Sequence, residues 1–391
     1  MKIEALTPSF IADVWGKCGK IPWGFRISAV QLGRSVMGEM KLVELVKPGQ
    51  VRVKEASIPE PLPGEVLVRI KACAICTLER RLFTGDQEIF YPLVFGHEVS
   101  GVVEEVGEGV FTDFEPGEPV VLDLLNRCNE CSFCRTGRSN QCINKFDPGL
   151  PVLGGMAQFV ARPARQVFRI NKEVGFLQAA LTEPLSDCIH SLMRTHLSPH
   201  MKIFIIGAGT MGLLHLAIVK HYGMIAAISD LHPDKLDIAA RMGADHVIDF
   251  SREDPPQVLQ ERAGIEGADV VVVTAPGKEP VEEALKTVGT MGIIVLFSAN
   301  PKGIKVELDP NFLHYEEVTI TGSESRTEKD FYQAVSMQNS GDLRLKELIS
   351  AVFPIEEAQR ALEASLDPAF YRVVVAMDDT ALEEFETLGG V

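Results

Sequence analysis

Four cysteines within fifteen residues form the most specific chemical pattern in the chain. Four thiolates can enclose a tetrahedral zinc ion with no open position, which is the arrangement of a structural site. An iron–sulfur cluster also uses four cysteines at short spacings. The pattern favours zinc because the other motifs of the chain fit a zinc enzyme. The four residues, spaced C-x2-C-x2-C-x7-C, are Cys128, Cys131, Cys134 and Cys142.

A glycine-rich turn is the second chemical signal. The run GAGTMG from Gly207 to Gly212 follows the apolar stretch KIFII and opens a segment with helical spacing. Its glycines permit a tight turn and the close approach of a pyrophosphate, and the helix N-terminus offers free N–H groups to the phosphates. The alternative interpretation is a glycine turn in a fold that has lost its nucleotide.

Asp230 indicates which dinucleotide binds. It ends the second strand of this region, 18 residues after Gly212. A carboxylate there bonds both adenosine ribose hydroxyls and repels a 2′-phosphate. The sequence therefore predicts NAD(H) rather than NADP as the cofactor. The predicted cofactor contacts are Gly207, Gly209, Thr210, Met211, Gly212, Asp230 and Thr274.

Three further motifs complete the pattern. Cys76 ends KACAIC, His97 and Glu98 lie in a G-H-E-x2-G-x5-G run, and Glu183 begins E-P-L. With the cysteine run and the glycine turn, in this order, they resemble the zinc-containing alcohol dehydrogenases of the medium-chain dehydrogenase/reductase superfamily. The resemblance covers roughly residues 40 to 391.

The resemblance implies a catalytic zinc bound by Cys76, His97 and Glu183, with a position left open for water or a substrate oxygen. Glu98 binds the metal or exchanges with water in some family members. Glu183 in its E-P-L context resembles the sorbitol and polyol branch or the threonine dehydrogenases, whereas the liver type has a cysteine there. With the four-cysteine site, two zinc ions per chain are expected.

The chain departs from the family pattern directly after the ligand cysteine. The family usually has Gly-Ser-Asp or Gly-Thr-Asp there, often with a histidine shortly afterwards, whereas this chain has TLERR. Leu78 replaces the hydroxyl that usually passes the alcohol proton outward, and Arg81 replaces the histidine. We expect Glu79 to keep the acidic role beside the site, where it either orients a metal ligand or contacts an arginine.

The proton route is therefore open at this stage. One route uses zinc-bound water with the carboxylate of Glu98 or Glu183. The other uses the hydroxyl of Thr77, which lies one position away from the usual hydroxyl. We expect the carboxylates to carry the proton, because a metal-adjacent carboxylate can act as a general base.

Several isolated cysteines and a histidine are given structural interpretations. Cys73 forms a C-x-x-C with the ligand cysteine, but only the second cysteine is a ligand in the family, so Cys73 is expected to be buried. Cys18 and Cys188 receive the same interpretation. His190 is expected to pack in a helix or to lie near the cofactor, and is not assigned to a metal.

The elements that position these residues indicate an α/β fold. Alternating apolar segments such as KLVELV and EVLVRIKA predict a β-rich first part, and after residue 178 apolar strands alternate with helical segments. About six such strands imply a doubly wound parallel sheet covered on both faces. We therefore predict a GroES-like β-rich catalytic domain over 40–184 and 322–391, and a Rossmann domain over 185–321.

Residues 1–39 carry no motif and no clear periodicity. Two interpretations explain them equally well: the start of the protein has been assigned wrongly, upstream of Met40, or the residues form a real N-terminal extension. The first ten residues lack the basic start and apolar core of a signal peptide.

The composition of the chain limits the classes of molecule that it is expected to bind. The net charge of −16 disfavours nucleic acids and anionic membrane surfaces, and no apolar run is long enough for a transmembrane helix. We expect a cytoplasmic protein with a small-molecule alcohol or ketone substrate. From the family we also expect a homodimer or homotetramer, joined near the edge strands GIIVLF and VTITG.

The leading functional hypothesis is oxidation of a secondary alcohol, such as a polyol, cyclitol or sugar alcohol, with hydride transfer to NAD. Zinc would act as a Lewis acid on the alcohol oxygen. The alternative within enzymes is an amino alcohol such as L-threonine. A zinc-free quinone reductase is disfavoured by Cys76, His97 and Glu183. The alternative outside enzymes is a zinc-stabilised nucleotide sensor, which the altered segment at Leu78 supports.

Overall fold

The computed structural model describes residues 38–87, 89–145 and 154–389. The segment expected as an extension over 1–39 lies outside these ranges apart from Gly38 and Glu39, and Cys18 lies outside them too. The strands of the described residues are β1 (Glu39–Lys47), β2 (Gln50–Ser57), β3 (Glu65–Ile75), β4 (Leu93–Val94), β5 (Glu98–Val106), β6 (Pro119–Asp123), β7 (Phe159–Pro163), β8 (Val167–Arg169), β9 (Lys202–Ile206), β10 (Ile225–Asp230), β11 (His246–Asp249), β12 (Ala268–Val273), β13 (Val288–Leu296), β14 (Thr319–Gly322), β15 (Ile349–Pro354) and β16 (Arg372–Ala376).

The α-helices lie mostly in the second half of the described chain. They are α1 (Thr77–Thr84), α2 (Ser132–Arg135), α3 (Phe176–Ala179), α4 (Thr182–Met193), α5 (Thr210–His221), α6 (Pro233–Arg241), α7 (Pro255–Ala263), α8 (Lys278–Thr287), α9 (Pro310–Tyr315), α10 (Glu328–Asn339), α11 (Ala358–Ser365) and α12 (Asp379–Thr387). The described part of the chain contains no helix that is both long and apolar enough to cross a bilayer.

A six-stranded parallel sheet confirms the Rossmann prediction. Its strands lie in the order β11-β10-β9-β12-β13-β14, which is the doubly wound dinucleotide-binding order. Alternate residues of β9 enter different cores: Ile203 and Ile205 pack into one hydrophobic cluster, and Phe204 and Ile206 into another. Because both faces are buried, the strands read as continuous apolar runs in the sequence.

A second, mixed sheet carries the β-rich part. Its seven strands run β15-β16-β3-β5-β6-β8, with β7 paired to β3. The C-terminal strand β16 pairs antiparallel with β3, and Val373 lies opposite Ile75. Strands β2, β1 and β4 form a separate three-stranded sheet. The C-terminal strand therefore returns to the sheet that contains β3 and β5.

The antiparallel pairing of β3 with β5 brings two sequence motifs together. Ala74 lies opposite Glu98 in this pair, so the end of β3 meets the start of β5. Cys76 follows β3 as the N-cap of α1, and His97 directly precedes β5. The two candidate ligands therefore become neighbours through one strand pair.

A carboxylate from the C-terminal helix holds the segment that precedes α4. Glu384 Oε2 accepts hydrogen bonds from the backbone N–H groups of Phe176, at 2.7 Å, and Leu177, at 3.3 Å, in the first turn of α3. Gly175 precedes this turn with a φ of +79°, where a side chain would collide with the carboxylate. The position of α3, and of α4 behind it, therefore depends on α12.

We predict that Glu384→Ala destabilises the protein by about 1–3 kcal/mol, because it leaves two partly buried N–H groups without an acceptor. The shift in the urea midpoint measures the effect. Glu384→Gln keeps an acceptor oxygen and should recover part of the loss. Glu383→Ala, at the exposed neighbouring position, is the control. An equal midpoint for the alanine variants at 383 and 384 would contradict the prediction.

Candidate active site and metal centres

Cys76, His97 and Glu98 bring three metal-binding atoms within 4.8 Å of one another. Cys76 Sγ lies 3.6 Å from His97 Nε2. A tetrahedral zinc with ordinary Zn–S and Zn–N bonds would place these two atoms about 3.6 Å apart. The donor types and their spacing therefore fit the zinc ion that the sequence predicts.

Glu79 fixes the orientation of the histidine. The His97 ring bonds through Nδ1 to Glu79 Oε1 at 2.6 Å, and Glu79 Oε2 accepts from the backbone N–H of Cys76 at 3.1 Å. Burial acts to raise the pKa of Glu79, but the charge of His97 and these hydrogen bonds outweigh it and lower that pKa. With Nδ1 engaged, Nε2 of His97 is the nitrogen that faces a metal.

Cys76 lies in an environment that favours its neutral thiol when no cation is bound. Burial raises the pKa of the Cys76 thiol to about 12, and the Glu79 carboxylate adds to the shift. The backbone N–H of Leu78 donates to Cys76 Sγ at 3.1 Å. A bound divalent cation would stabilise the thiolate and reverse the shift.

Both carboxylates expected near the metal are bound by buried arginines. Arg372 holds Glu98 through two hydrogen bonds, of 3.0 Å from Nε and 2.9 Å from Nη2. Glu183 Oε1 lies 3.6 Å from His97 Nε2, but it also accepts a hydrogen bond from Nη1 of Arg326. The donor atoms that lie within 4.8 Å of one another thus belong to Cys76, His97 and Glu98. Glu183 lies beside this group and contacts it through His97.

Arg326 is the centre of a larger buried ion cluster. Besides Glu183 it binds Asp123 at 2.9 Å and Asp187 at 3.4 Å. Burial and the nearby Glu183 raise the pKa of Asp187 to about 8, with Arg326 opposing the shift. Arg127 binds the other oxygen of Asp123 at 2.6 Å. The cluster thus places two arginines against three carboxylates.

The sequence analysis missed these arginines and Asp187. Arg372 had a local signal, since it is a lone cation in the apolar strand segment YRVVVAM and is 7% exposed. Arg326 follows the polar run GSES, and nothing in its neighbourhood indicates burial. Asp187 lies one helical turn after Glu183 on α4, which places both on one face of the helix.

A cavity of about 800 Å³ opens on the donor group. Thr77 and Leu78 both line it, whereas Arg81 is exposed and is not among its lining residues. The wall formed by α4 includes Glu183, Asp187 and His190. Other walls come from the four-cysteine segment and from the nucleotide-binding sheet, through Arg138, Asn140, Gln141, Met211, Phe297 and Ser298. The cavity therefore joins the candidate metal site to the candidate cofactor site.

The four cysteines of the first motif form a compact lobe. Their sulfurs all lie within 4.8 Å of one another, with Cys128 Sγ 4.0 Å from Cys134 Sγ. Zn–S bonds of about 2.3 Å would place sulfurs about 3.8 Å apart, so the set fits a tetrahedral zinc. Backbone N–H groups lower the pKa of Cys131 to about 6, whereas burial raises that of Cys134 to about 12. All the cysteines among the described residues are free, so none of them forms a disulfide bond.

The lobe is tied to the loop that carries Arg326. Asn140 Nδ2 donates to the backbone oxygen of Glu324 at 2.9 Å, and Lys145 binds the Glu324 carboxylate at 2.7 Å. Arg127 Nη2 donates to the backbone oxygen of Arg326 at 3.1 Å. The position of Arg326 therefore depends on contacts with the cysteine lobe.

The glycine turn has the geometry of a dinucleotide site. Gly207 has a φ of +104°, and a Cβ on Gly212 would collide with the carbonyl oxygen of Gly207. A Cβ on Gly209 would meet nothing within 4 Å, which leaves open space at the N-cap of α5 for a phosphate. Thr274 Oγ1 donates to the carbonyl oxygens of Ile206 and Gly207, both at 3.0 Å, and so supports the turn.

The remaining predicted residues lie close to this turn. Asp230 ends β10 and accepts from the backbone N–H groups of Ala208, at 2.8 Å, and His232, at 2.9 Å. Thr210 Oγ1 donates to the backbone oxygen of Tyr371 at 3.1 Å. Met211, a predicted cofactor contact, lines the large cavity.

The isolated residues have structural partners. Cys73 and Cys188 are fully buried, as expected. His190 bonds through Nδ1 to Asp330 at 2.8 Å, and its Nε2 lies 3.3 Å from Nδ2 of Asn140. It lines the cavity and does not belong to either donor group of the described residues.

We predict that Glu79→Ala weakens binding of the metal at Cys76 and His97 by about 10- to 100-fold, because the histidine loses the partner that orients it. Competition with a chelator measures the zinc dissociation constant. Glu79→Gln keeps an oxygen that accepts from His97 Nδ1 and should recover part of the affinity. Unchanged affinity in both variants would show that Glu79 has no part in metal binding.

Comparisons with known proteins agree with this geometry. The alcohol dehydrogenase GroES-like domain model matches residues 62–172, and the zinc-binding dehydrogenase model matches residues 210–340. The alcohol dehydrogenase of Geobacillus stearothermophilus is 31% identical over 84% of this chain and 96% of its own length. The sorbitol dehydrogenase of Bacillus subtilis (strain 168) is 29% identical over 85% of this chain and 95% of its own.

A solved structure shows the same fold. A protein from Sinorhizobium meliloti 1021, described as a putative zinc-binding dehydrogenase and bound to NADP, superposes with a TM-score of 0.80 at 29% identity. The match covers 87% of this chain and 99% of that one. The chain is therefore a member of the zinc-dependent alcohol dehydrogenase family of the medium-chain dehydrogenase/reductase superfamily.

Proposed function

We propose that this protein oxidises a secondary alcohol of the polyol, cyclitol or sugar-alcohol class with NAD. The observation that carries the proposal is the shared cavity, in which Cys76, His97 and Glu98 face residues of the nucleotide-binding sheet such as Phe297. In the balanced reaction, the secondary alcohol and NAD⁺ give a ketone, NADH and one proton. The reverse reaction reduces the ketone.

Zinc and the nicotinamide cofactor would supply the chemistry, and the side chains of the protein would bind and orient them. When bound, zinc polarises the alcohol oxygen and the nicotinamide accepts the hydride. Cys76, His97 and one of the two arginine-bound carboxylates, Glu98 or Glu183, would hold the metal. That a carboxylate rather than Thr77 carries the proton stays a prediction. Leu78 lines the cavity and has no proton to exchange.

The domain division is part of the proposal. Residues 40–184 and 322–391 would form the catalytic domain, and 185–321 the Rossmann domain. The pairing of β16 with β3 supports the return of the C-terminal part to the first domain. We further propose a homodimer or homotetramer, since β14 is an edge strand of its sheet, with exposed Met291 and Tyr315 nearby. A cytoplasmic location would suit the free thiols.

An activity screen tests the function. Zinc-loaded protein would be incubated with NAD and a panel of polyols, cyclitols, L-threonine and simple secondary alcohols, and NADH formation followed. Preference for a polyol or cyclitol supports the proposal, and preference for L-threonine would replace it with the amino-alcohol alternative. Absence of turnover from a protein that binds both NADH and zinc would favour the nucleotide sensor.

We predict two zinc ions per chain, one at each donor group. The Cys128→Ser variant should contain one zinc ion and lose stability, because three thiolates cannot close the tetrahedron of the lobe. Metal analysis by mass spectrometry measures the content, and Ser132→Ala, an exposed position of the same lobe, is the control. Retention of both ions by Cys128→Ser would refute the assignment of the lobe.

We predict a preference for NAD over NADP, because the Asp230 carboxylate would repel a 2′-phosphate. The similar structure from Sinorhizobium meliloti contains NADP, so the measurement distinguishes between two cofactors. The ratio of kcat/KM for the two cofactors should fall in Asp230→Gly and stay unchanged in Asp234→Ala, an exposed position in the next helix. A wild-type preference for NADP would remove the argument.

A further inference from the structure

We infer that the substrate of this cavity carries an acidic group, a carboxylate or a phosphate, which binds to Arg138 and Arg194. The inference rests on the proposed function, because it assigns the class of alcohol that the same cavity takes. Both arginines line the cavity together with the metal-binding residues. The acidic group takes no part in the hydride transfer and is unchanged in the product.

The charges along the cavity wall support this inference. Its carboxylates all have cationic partners: Glu98 binds Arg372, Glu183 and Asp187 bind Arg326, and Glu324 binds Lys145. Arg138 and Arg194, in contrast, form no ion pair with any described residue. Two exposed guanidinium groups without an ion-pair partner among the described residues thus lie on the wall of one cavity, in a chain whose net charge is −16. An anionic ligand would balance them.

The two arginines are held in a way that leaves their binding atoms available. Arg138 Nε donates to Thr136 Oγ1 at 3.1 Å, and its guanidinium carbon lies 5.4 Å from the centre of the Phe133 ring. Arg194 Nε donates to Thr321 Oγ1 at 3.0 Å. In each case the hydrogen bond uses the inner nitrogen. The paired terminal nitrogens, which match the oxygens of carboxylates and phosphates, are not engaged by other described residues.

The position of Arg194 places the acidic group away from the reacting carbon. Glu183, Asp187 and His190 follow one another along the face of α4 that lines the cavity, and Arg194 is the C-cap of this helix. Arg194 lies eleven positions after Glu183, which corresponds to about 16 Å along a helix axis. Because His97 of the candidate metal site lies at the Glu183 end, the geometry favours a substrate with its carbinol at one end and its charge at the other.

The phosphates of the cofactor do not account for these arginines. The pyrophosphate is expected at the glycine turn and the N-terminus of α5. None of the three motif glycines, Gly207, Gly209 and Gly212, lines the cavity that contains Arg138 and Arg194. The cavity instead includes Phe297 and Ser298, which directly follow β13, together with the metal-binding group. The two arginines therefore face the substrate end of the cleft.

Matched substrates test the inference. A hexitol, its terminal phosphate and the corresponding terminal carboxylate would be compared with zinc-loaded protein and NAD. We expect kcat/KM to be about 10- to 100-fold higher for one of the acidic forms, mainly through KM, since charge-assisted hydrogen bonds have this strength. The arms of the comparison distinguish phosphate from carboxylate. Arg138→Gln and Arg194→Gln should each move the acidic-to-neutral ratio of kcat/KM toward one.

The control is Arg135→Gln, an exposed arginine of the same lobe that does not line the cavity. It should leave the ratio unchanged. The inference is overturned, and the proposed function left intact, if the protein uses the neutral hexitol as well as the acidic forms and neither variant changes the acidic-to-neutral ratio of kcat/KM. The inference is also overturned if the variants dissociate an oligomer while this ratio stays unchanged. The arginines would then pair with a partner subunit.

A binding measurement separates failure of the inference from failure of the function. Calorimetric titration of the zinc- and NADH-loaded protein with hexitol phosphate needs no turnover. We expect binding that weakens about tenfold in Arg138→Gln and weakens with added salt. If no alcohol is oxidised but this binding persists, the function fails and the anion site stands. If the wild type and Arg138→Gln bind hexitol phosphate equally, the anion site is wrong.

Discussion

Buried carboxylates that need compensating cations are the constraint on which the active site depends. Glu79, Glu98, Asp123 and Glu183 are each no more than 5% exposed. Leaving such charges unpaired in a protein interior costs several kcal/mol each. His97 and the buried arginines provide this compensation, and a bound metal ion would add to it.

Each arginine of this set comes from a different part of the fold. Arg372 lies on β16, so its pairing with Glu98 requires the C-terminal strand to join β3. Arg326 comes from the loop after β14, the edge strand of the parallel sheet, and binds Glu183 at the start of α4. The carboxylates around the candidate metal site are therefore compensated by Arg372 from within the mixed sheet and by Arg326 from the loop that follows the parallel sheet. Residues from both parts of the fold also line the cavity beside this site.

The sequence predicted what depends on local spacing. The cysteine lobe, the glycine turn and the histidine motif each lie within a short segment, and alternating apolar runs were sufficient to identify the six parallel strands. The buried ion pairs could not be predicted, because they join residues far apart in the chain, 143 positions for Arg326 and Glu183 and 274 for Arg372 and Glu98. Arg372 had a local signal of burial, as a lone cation in an apolar strand, but nothing near it indicates its partner Glu98. Nothing near Arg326 distinguishes it from an exposed arginine in a loop.

The contacts between the cysteine lobe and the Arg326 loop make the active site depend on a segment that supplies none of its donor atoms. Asn140 lies between the third and fourth lobe cysteines and binds the Glu324 backbone, two residues before Arg326. Disorder in the lobe would therefore loosen the loop that brings Arg326 to Glu183. A metal ion held by the lobe would in this way act at a distance on the pocket, because it would order the active site without touching a substrate.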